Sequence, residues 1–245
     1  MDALRQFGQY SLLLYQALRS VTEFSTYRKN LFAEFVKIGY ESIPIIMLTG
    51  FFTGAVLTLQ TAYQLDTDLF SVTIVGSIVG QTVIIELAAV IGGLVLTGKV
   101  GARISTELGT MRVSEQIDAL ESMGFNSVTF LVVPRILAGI AMFPILYVAA
   151  ATMGIFGGIL AGSLDGILPP ADFLQGARAF FFEEDVVFGI VKSVVFGFVI
   201  TSISCFKGYF AFGGAEGVGT ATTQSTVLSC IYILLADFLL AAILL

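Results

Sequence analysis

The apolar positions of this chain come in long unbroken blocks, not in the every-second-residue alternation of strands. The blocks cover about residues 43–63, 70–98, 133–158, 186–206 and 226–245. Each is near or above the ~20 residues that a helix rising ~1.5 Å per residue needs to cross ~30 Å of hydrocarbon. The pattern predicts an all-α membrane protein with about five spanning helices. Between the second and third blocks lies the one long polar run with helical signals, TELGTMRVSEQIDALESM, from Thr106 to Met123. Ser114 reads as an N-cap, Glu115 places an acid in the first turn, and Gly124 reads as the residue just past the end. Ile117, Leu120 and Met123 share one face, with Glu115, Asp118 and Glu121 elsewhere around the helix. At about 13 Å this helix is too short to span. It is expected at the cytoplasmic surface, either offering a mixed apolar and acidic face to a partner or lying there as an ordinary solvated helix.

Before the first block, Leu4, Phe7, Tyr10, Leu13, Leu14 and Leu18 are spaced among polar residues, the pattern of an amphipathic helix lying in the membrane interface. A polar connector and a second short helix follow, so residues 1–40 form an N-terminal region and 41–245 the membrane domain. Gly50-x-x-x-Gly54 in the first block would let another helix approach closely. Asp66 and Asp68 mark an external turn. The glycine-rich second block is longer than a bilayer requires. Pro134 is expected at the start of the third helix, and Pro144 inside it, bending it. The stretch with Asp165, Pro169, Pro170, Asp172 and the acids Glu183, Glu184 and Asp185 reads as a loop. So does GGAEGVGTATTQST before the last block.

Composition supports the membrane reading, since 56% of the residues are hydrophobic and 12% charged, with a mean hydropathy of +0.93. The basic residues set an orientation. Arg5, Arg19, Arg28, Lys29, Lys37, Lys99, Arg103, Arg112, Arg135 and Lys207 fall on one side of a five-span arrangement, and Arg178 on the other. An excess of Lys and Arg marks the cytoplasmic side. The N-terminus and the 99–135 segment are therefore expected inside and the C-terminus outside. The N-terminus lacks the pattern of a signal peptide. Cys205 and Cys230 read as free thiols in apolar surroundings.

Chemistry of the chain's own is not expected. There is no His and no Trp. No G-x-x-x-x-G-K-[ST], no HExxH, no nucleophile elbow and no metal cluster occurs. Neither a cofactor nor a nucleic-acid partner is expected. Two charges fall inside apolar blocks, Glu86 in the second and Lys192 in the fourth. A lone charge there costs several kcal/mol, so such residues usually face a partner, a cavity or water. Their opposite signs suggest a shared functional site, although a structural ion pair or a misplaced span boundary would also account for them. Asp237 lies in the last block, close enough to its external end to reach water. Gln60 in the first block is either interhelical glue or a ligand contact.

The run TELGTMRVSEQIDALESMG followed by LVVPRILAG resembles the signature of the MlaE/YrbE permease family. VLTLQ, ELAAVIGGLVLTGKVGARIS, IVKSVVFG and GVGTATTQSTV extend the resemblance in the same order, over nearly the whole chain from Ile43. FNSV, Phe125–Val128, departs from it, standing where the family commonly has a proline. The resemblance implies the membrane subunit of an ABC transporter that moves phospholipid in the bacterial inner membrane. It implies a homodimer above two cytoplasmic MlaF-like ATPase subunits, which would bind the ATP. It also implies an Mce-domain, MlaD-like lipid carrier in the periplasm and a STAS-domain, MlaB-like protein on the ATPase. A lipid pocket would be lined by Leu57, Gln60, Leu65, Glu86, Leu87 and Lys192. Residues 101–124 would be the coupling segment, with Glu107, Glu115, Gln116, Asp118, Leu120 and Met123 meeting the ATPase. The transport would maintain the lipid asymmetry of the outer membrane. Two other classes stay open on the residues alone. One is an ion-coupled carrier using Glu86 and Lys192, which an inverted repeat would favour; no internal repeat is visible. The other is a structural anchor for a lipid-binding complex.

Overall fold

A computed structural model describes residues 2–21, 24–65, 73–164, 166 and 168–244. The expected turn at Asp66 and Asp68, the start of the second block at Phe70, and Asp165 lie outside the described residues. The chain is all-α, with no strand among those described. Helix α1 is Asp2–Ser20 and α2 is Phe24–Glu34; a π turn and a 3-10 turn carry the chain from α2 into α3, Ile43–Gln64. Helix α4 runs from Thr73 to Val113, and α5 is the short Gln116–Ser122. After these come α6, Val128–Leu164; α7, Pro170–Ala179; α8, Glu183–Tyr209; and α9, Gly214–Leu244. The runs containing α3, α4, α6, α8 and α9 are each long and apolar enough to cross a membrane.

Four boundaries differ from the sequence expectation, each for a local reason. The second block does not end at Gly98 but stays helical to Val113. Pro134 does not open the third helix, which begins six residues earlier with the π turn Val128–Val132. Proline cannot donate to the carbonyl four residues back, here that of Phe130. The Asn30 side chain supplies that donor at 3.2 Å, so the helix tolerates the proline. The Pro169–Pro170 stretch is not a loop. Pro170 opens α7 as its first residue, a position where the missing N–H costs nothing. GGAEGVGTATTQST is likewise the beginning of α9. The hydroxyls of Thr220, Thr222, Thr223 and Thr226 each donate to the carbonyl four residues back, so the polar sequence satisfies itself within the helix.

Contacts divide the chain into two compact units. The first is Met1–Glu41, Leu96–Met142 and Val195–Ala236; the second is Ser42–Val95, Phe143–Val194 and Asp237–Leu245. The second unit is built on close backbone approach. A Cβ on Gly50 or Gly54 of α3 would run into the backbone of Ala150 or Gly154 on α6, so the spaced glycines do bring two helices together. Helix α7 lies against the start of α4 in the same way. Gly176 abuts the Thr73 carbonyl, Ser77 Oγ donates to the Gly176 carbonyl at 2.8 Å, and Phe173 is fully buried. In the first unit α1 buries Leu13 and Ala17 and leaves Leu4, Phe7, Tyr15 and Leu18 exposed. It is thus apolar on two sides, one for the protein and one for its surroundings. Cys205 and Cys230 are both free, Cys205 buried and Cys230 half-buried.

Candidate functional site

Lys192, on α8, has no exposed surface. Its ammonium donates to Glu86 Oε2 at 2.5 Å and lies 2.7 Å from Asp237 Oδ1 and 4.5 Å from the centre of the Phe188 ring. Glu86 sits in the π turn Val83–Leu87 of α4. A π turn widens the helix, leaves its carbonyls poorly matched and is frequent at functional sites. Here the Tyr147 hydroxyl donates to the Ile84 carbonyl at 2.8 Å and so satisfies one of them. The pairing of Glu86 with Lys192 follows the sequence expectation. Asp237 does not: its carboxylate is largely buried and turned to Lys192 instead of to water. The cluster therefore sets one ammonium against two carboxylates. Glu86, 38% exposed at its side chain, is its open edge.

Beside this cluster the second unit has a shallow apolar cleft between α3, α4 and α6, lined by Ile46, Thr53, Val83, Leu87 and Ala150 among others. Its free space is about 10 Å³, the room of a single water, so this cleft by itself does not hold a lipid. Of the residues expected around a pocket, Leu87 lines the cleft and Glu86 and Lys192 lie in the adjoining cluster. Leu57 and Leu65 are half-buried on α3 and at its end, and Gln60 is exposed. The same helix exposes Leu48, Phe52, Val56 and Tyr63. These form a bare face next to the cleft.

Helix α5 starts differently from the expectation. Ser114 does not cap it; the Ser114 hydroxyl donates back to the Thr110 carbonyl at 2.7 Å and closes α4. The corner is made by Glu115, which adopts a left-handed φ of 59° and whose carbonyl accepts the first bond of α5, from Ala119 at 2.9 Å. The other end is as expected. Gly124, at φ 82°, donates to Glu121 O and Phe125 to Leu120 O, the paired bonds of a Schellman stop. Asn126 builds the next corner: its side-chain oxygen accepts the N–H groups of Val128 and Thr129. Ile117 anchors α5 with no exposed surface, and Glu121 accepts hydrogen bonds from Ser127 at 2.6 Å and Tyr209 at 3.0 Å. Glu115, Gln116 and Asp118 face outward, with Met123 64% and Phe125 50% exposed and Leu120 between. The expected apolar face is thus divided, with Ile117 holding the helix down and Met123 free.

Glu107 is placed apart from that group. It accepts from Arg103 at 2.9 Å and Arg135 at 3.1 Å, and Lys37 is 3.8 Å away. Arg135 also reaches Glu34 at 3.4 Å and the Leu131 carbonyl at 2.7 Å, and Arg103 reaches Glu41 at 3.0 Å. Arg135 and Glu34 are both buried. Sequence reading had no signal for this network, because its members are scattered from residue 34 to 135 and most sit in polar stretches.

The family model of the permease MlaE matches residues 31–243, from the end of α2 through α9. The chain belongs to the MlaE permease family. It is 36% identical over 236 residues to a probable ABC transporter permease protein of Rickettsia bellii, covering 96% of this chain and 91% of that one. It is 30% identical over 244 residues to the intermembrane phospholipid transport system permease protein MlaE of Haemophilus influenzae, covering 99% of this chain and 93% of that one. A third relative is the chloroplastic protein TRIGALACTOSYLDIACYLGLYCEROL 1 of Arabidopsis thaliana, 32% identical over 214 residues, 87% of this chain and 61% of that one. This MlaE-family chain is a multi-pass membrane permease subunit of an ABC transporter, a type of subunit that works with an ATPase and a substrate-binding partner.

Proposed function

We propose that this permease subunit moves phospholipid between the bacterial inner membrane and a periplasmic, Mce-domain carrier of the MlaD type, and so serves the lipid asymmetry of the outer membrane. The observation that carries the reading is the Lys192 cluster beside an apolar cleft. An acyl chain leaving the bilayer forfeits about 0.8 kcal/mol per CH₂ unless apolar surface replaces it, and a head group needs polar partners. The cleft at Leu87, extended by Leu57 and Leu65 along α3, offers the first, and Glu86, Lys192 and Gln60 the second. The bare α3 face is where a second copy completes the pocket, making the functional unit a homodimer. The subunit needs no cofactor; ATP is bound and hydrolysed by MlaF-like subunits. These dock on α5 through Glu115, Gln116, Asp118, Leu120 and Met123, with Glu107 holding the base of the segment in place and a STAS-domain, MlaB-like protein on the ATPase. Helix α5 and the N-terminus then face the cytoplasm and the C-terminus the periplasm.

Lipid analysis by mass spectrometry on the purified complex tests the reading. Phospholipid is expected to accompany the natural complex and to fall severalfold with Leu87→Trp, which fills the cleft. Unchanged lipid and unchanged transfer in that variant would refute it. The surplus carboxylate favours one other reading, an ion-coupled carrier, since paired acids in a span are a common proton relay. Transfer that stops without ATP but survives collapse of the proton gradient excludes it.

A further inference from the structure

In the first unit a trough runs beside α1, α8 and α9, and it plays no part in the function proposed above. One half is apolar, enclosing about 400 Å³ against Phe7, Tyr10, Val199, Ile203 and Tyr232. The other half is mixed, about 490 Å³ bordered by Gln9, Glu216, Thr220 and Gln224 among others. Gln6, Phe206 and Lys207 line both halves, so the two are continuous with an ammonium at the join. Tyr10 is held in the apolar wall by a 2.9 Å hydrogen bond with Ser202 and an edge contact to Phe206. Burial pushes its phenol above the ordinary tyrosine value, so that wall stays neutral.

Lys207 contrasts with Lys192. It donates to neutral amides, Gln6 Oε1 at 3.3 Å and Gln224 Oε1 at 3.2 Å, and it is half-buried where it lines the trough. Among the described residues no carboxylate lies within ion-pair distance of it, although Glu216 borders the polar half. We propose that the trough holds one membrane phospholipid with an anionic head group, its phosphate at Lys207 and an acyl chain along Phe7, Tyr10, Ile203 and Tyr232. A lipid matches both halves at once and brings the counter-charge that Lys207 lacks. An apolar helix of another protein would fill one half and leave the ammonium unneutralised. This site shares no residue with the Lys192 cluster, and it stands whether or not that cluster handles transported lipid.

The chain has no tryptophan, so one introduced indole reports on the trough alone. The full chain carrying Tyr232→Trp is reconstituted in phosphatidylcholine vesicles. Either brominated-chain phosphatidylglycerol or brominated-chain phosphatidylcholine is added as quencher. One Lys near a membrane surface enriches anionic lipid roughly fivefold over bulk, so quenching by the brominated phosphatidylglycerol should exceed the other lipid's accordingly. The preference should vanish with Lys207→Gln and be absent at Phe238→Trp, an exposed control on α9. Phe7→Trp serves as a second reporter should Tyr232→Trp fold poorly. Equal quenching by both lipids, indifferent to Lys207→Gln, would show ordinary solvation by bulk lipid and overturn the proposal. Quenching of the Phe238→Trp control but not of the trough reporters would show the trough covered by protein, and would overturn it too.

Discussion

Arg135 meets Glu34 and Glu107, Glu107 also meets Arg103 and Lys37, and Arg103 meets Glu41; Lys192 meets Glu86 and Asp237, and among the described residues no second cation pairs with either carboxylate. The first set uses guanidinium forks, which fix geometry by several directed bonds, and its charges match. The second uses a compact ammonium and leaves a carboxylate in surplus. Burying charge is costly in either case, and breaking a buried pair costs more than forming it returns. A balanced network is what a structural tie requires. An unbalanced one, open at Glu86, is what a site awaiting a further group requires. The contrast separates Glu107, which holds its segment together, from Glu86, which borders the cleft.

The largest effect should come from Lys192→Ala, which strands two carboxylates. About 3–5 kcal/mol of stability should be lost, read as thermal unfolding of the purified chain. Glu86→Gln should be much milder, because Lys192 keeps Asp237. Equal losses from the two substitutions would break the three-membered account. Arg135→Ala comes next, at about 3 kcal/mol, since Glu34 is left buried and unpaired. Arg135→Lys should recover only part of it, because the fork to Glu34, Glu107 and the Leu131 carbonyl is gone. Full recovery by lysine would erase the distinction between the two clusters. Asn30→Ala, which orphans the Phe130 carbonyl, should cost about 1–3 kcal/mol in the same assay. Arg112→Gln, which removes an exposed 2.6 Å pair with Asp118, should cost less than about 1 kcal/mol, and less still in high salt.

The five spans were legible because hydropathy over ~20 residues is a strong signal that local detail rarely reverses. The pairing of Glu86 with Lys192 was legible for a related reason, since a charge in an apolar block demands a partner. Asp237 was misjudged because sequence gives distance from a chain end, not which way a side chain turns. The polar start of α9 looked like a loop because four threonines that bond their own helix are indistinguishable, in sequence, from four that bond water. Ser114 has the right chemistry for an N-cap. It was already bound to the preceding turn, which only the continuation of α4 to Val113 reveals. The ion network around Arg135 joins three regions distant in sequence, residues 34–41, 103–107 and 135, and no local pattern announces it.

The most direct test of the central claim, that α5 passes the work of a partner ATPase to a lipid path, is transfer of fluorescent phospholipid by the reconstituted complex. Leu120→Asp is introduced at a half-buried position of α5, leaving Ile117 in place. The account predicts a normally folded chain, loss of ATPase co-purification and loss of ATP-dependent transfer. Wild-type transfer with the ATPase still bound would contradict it.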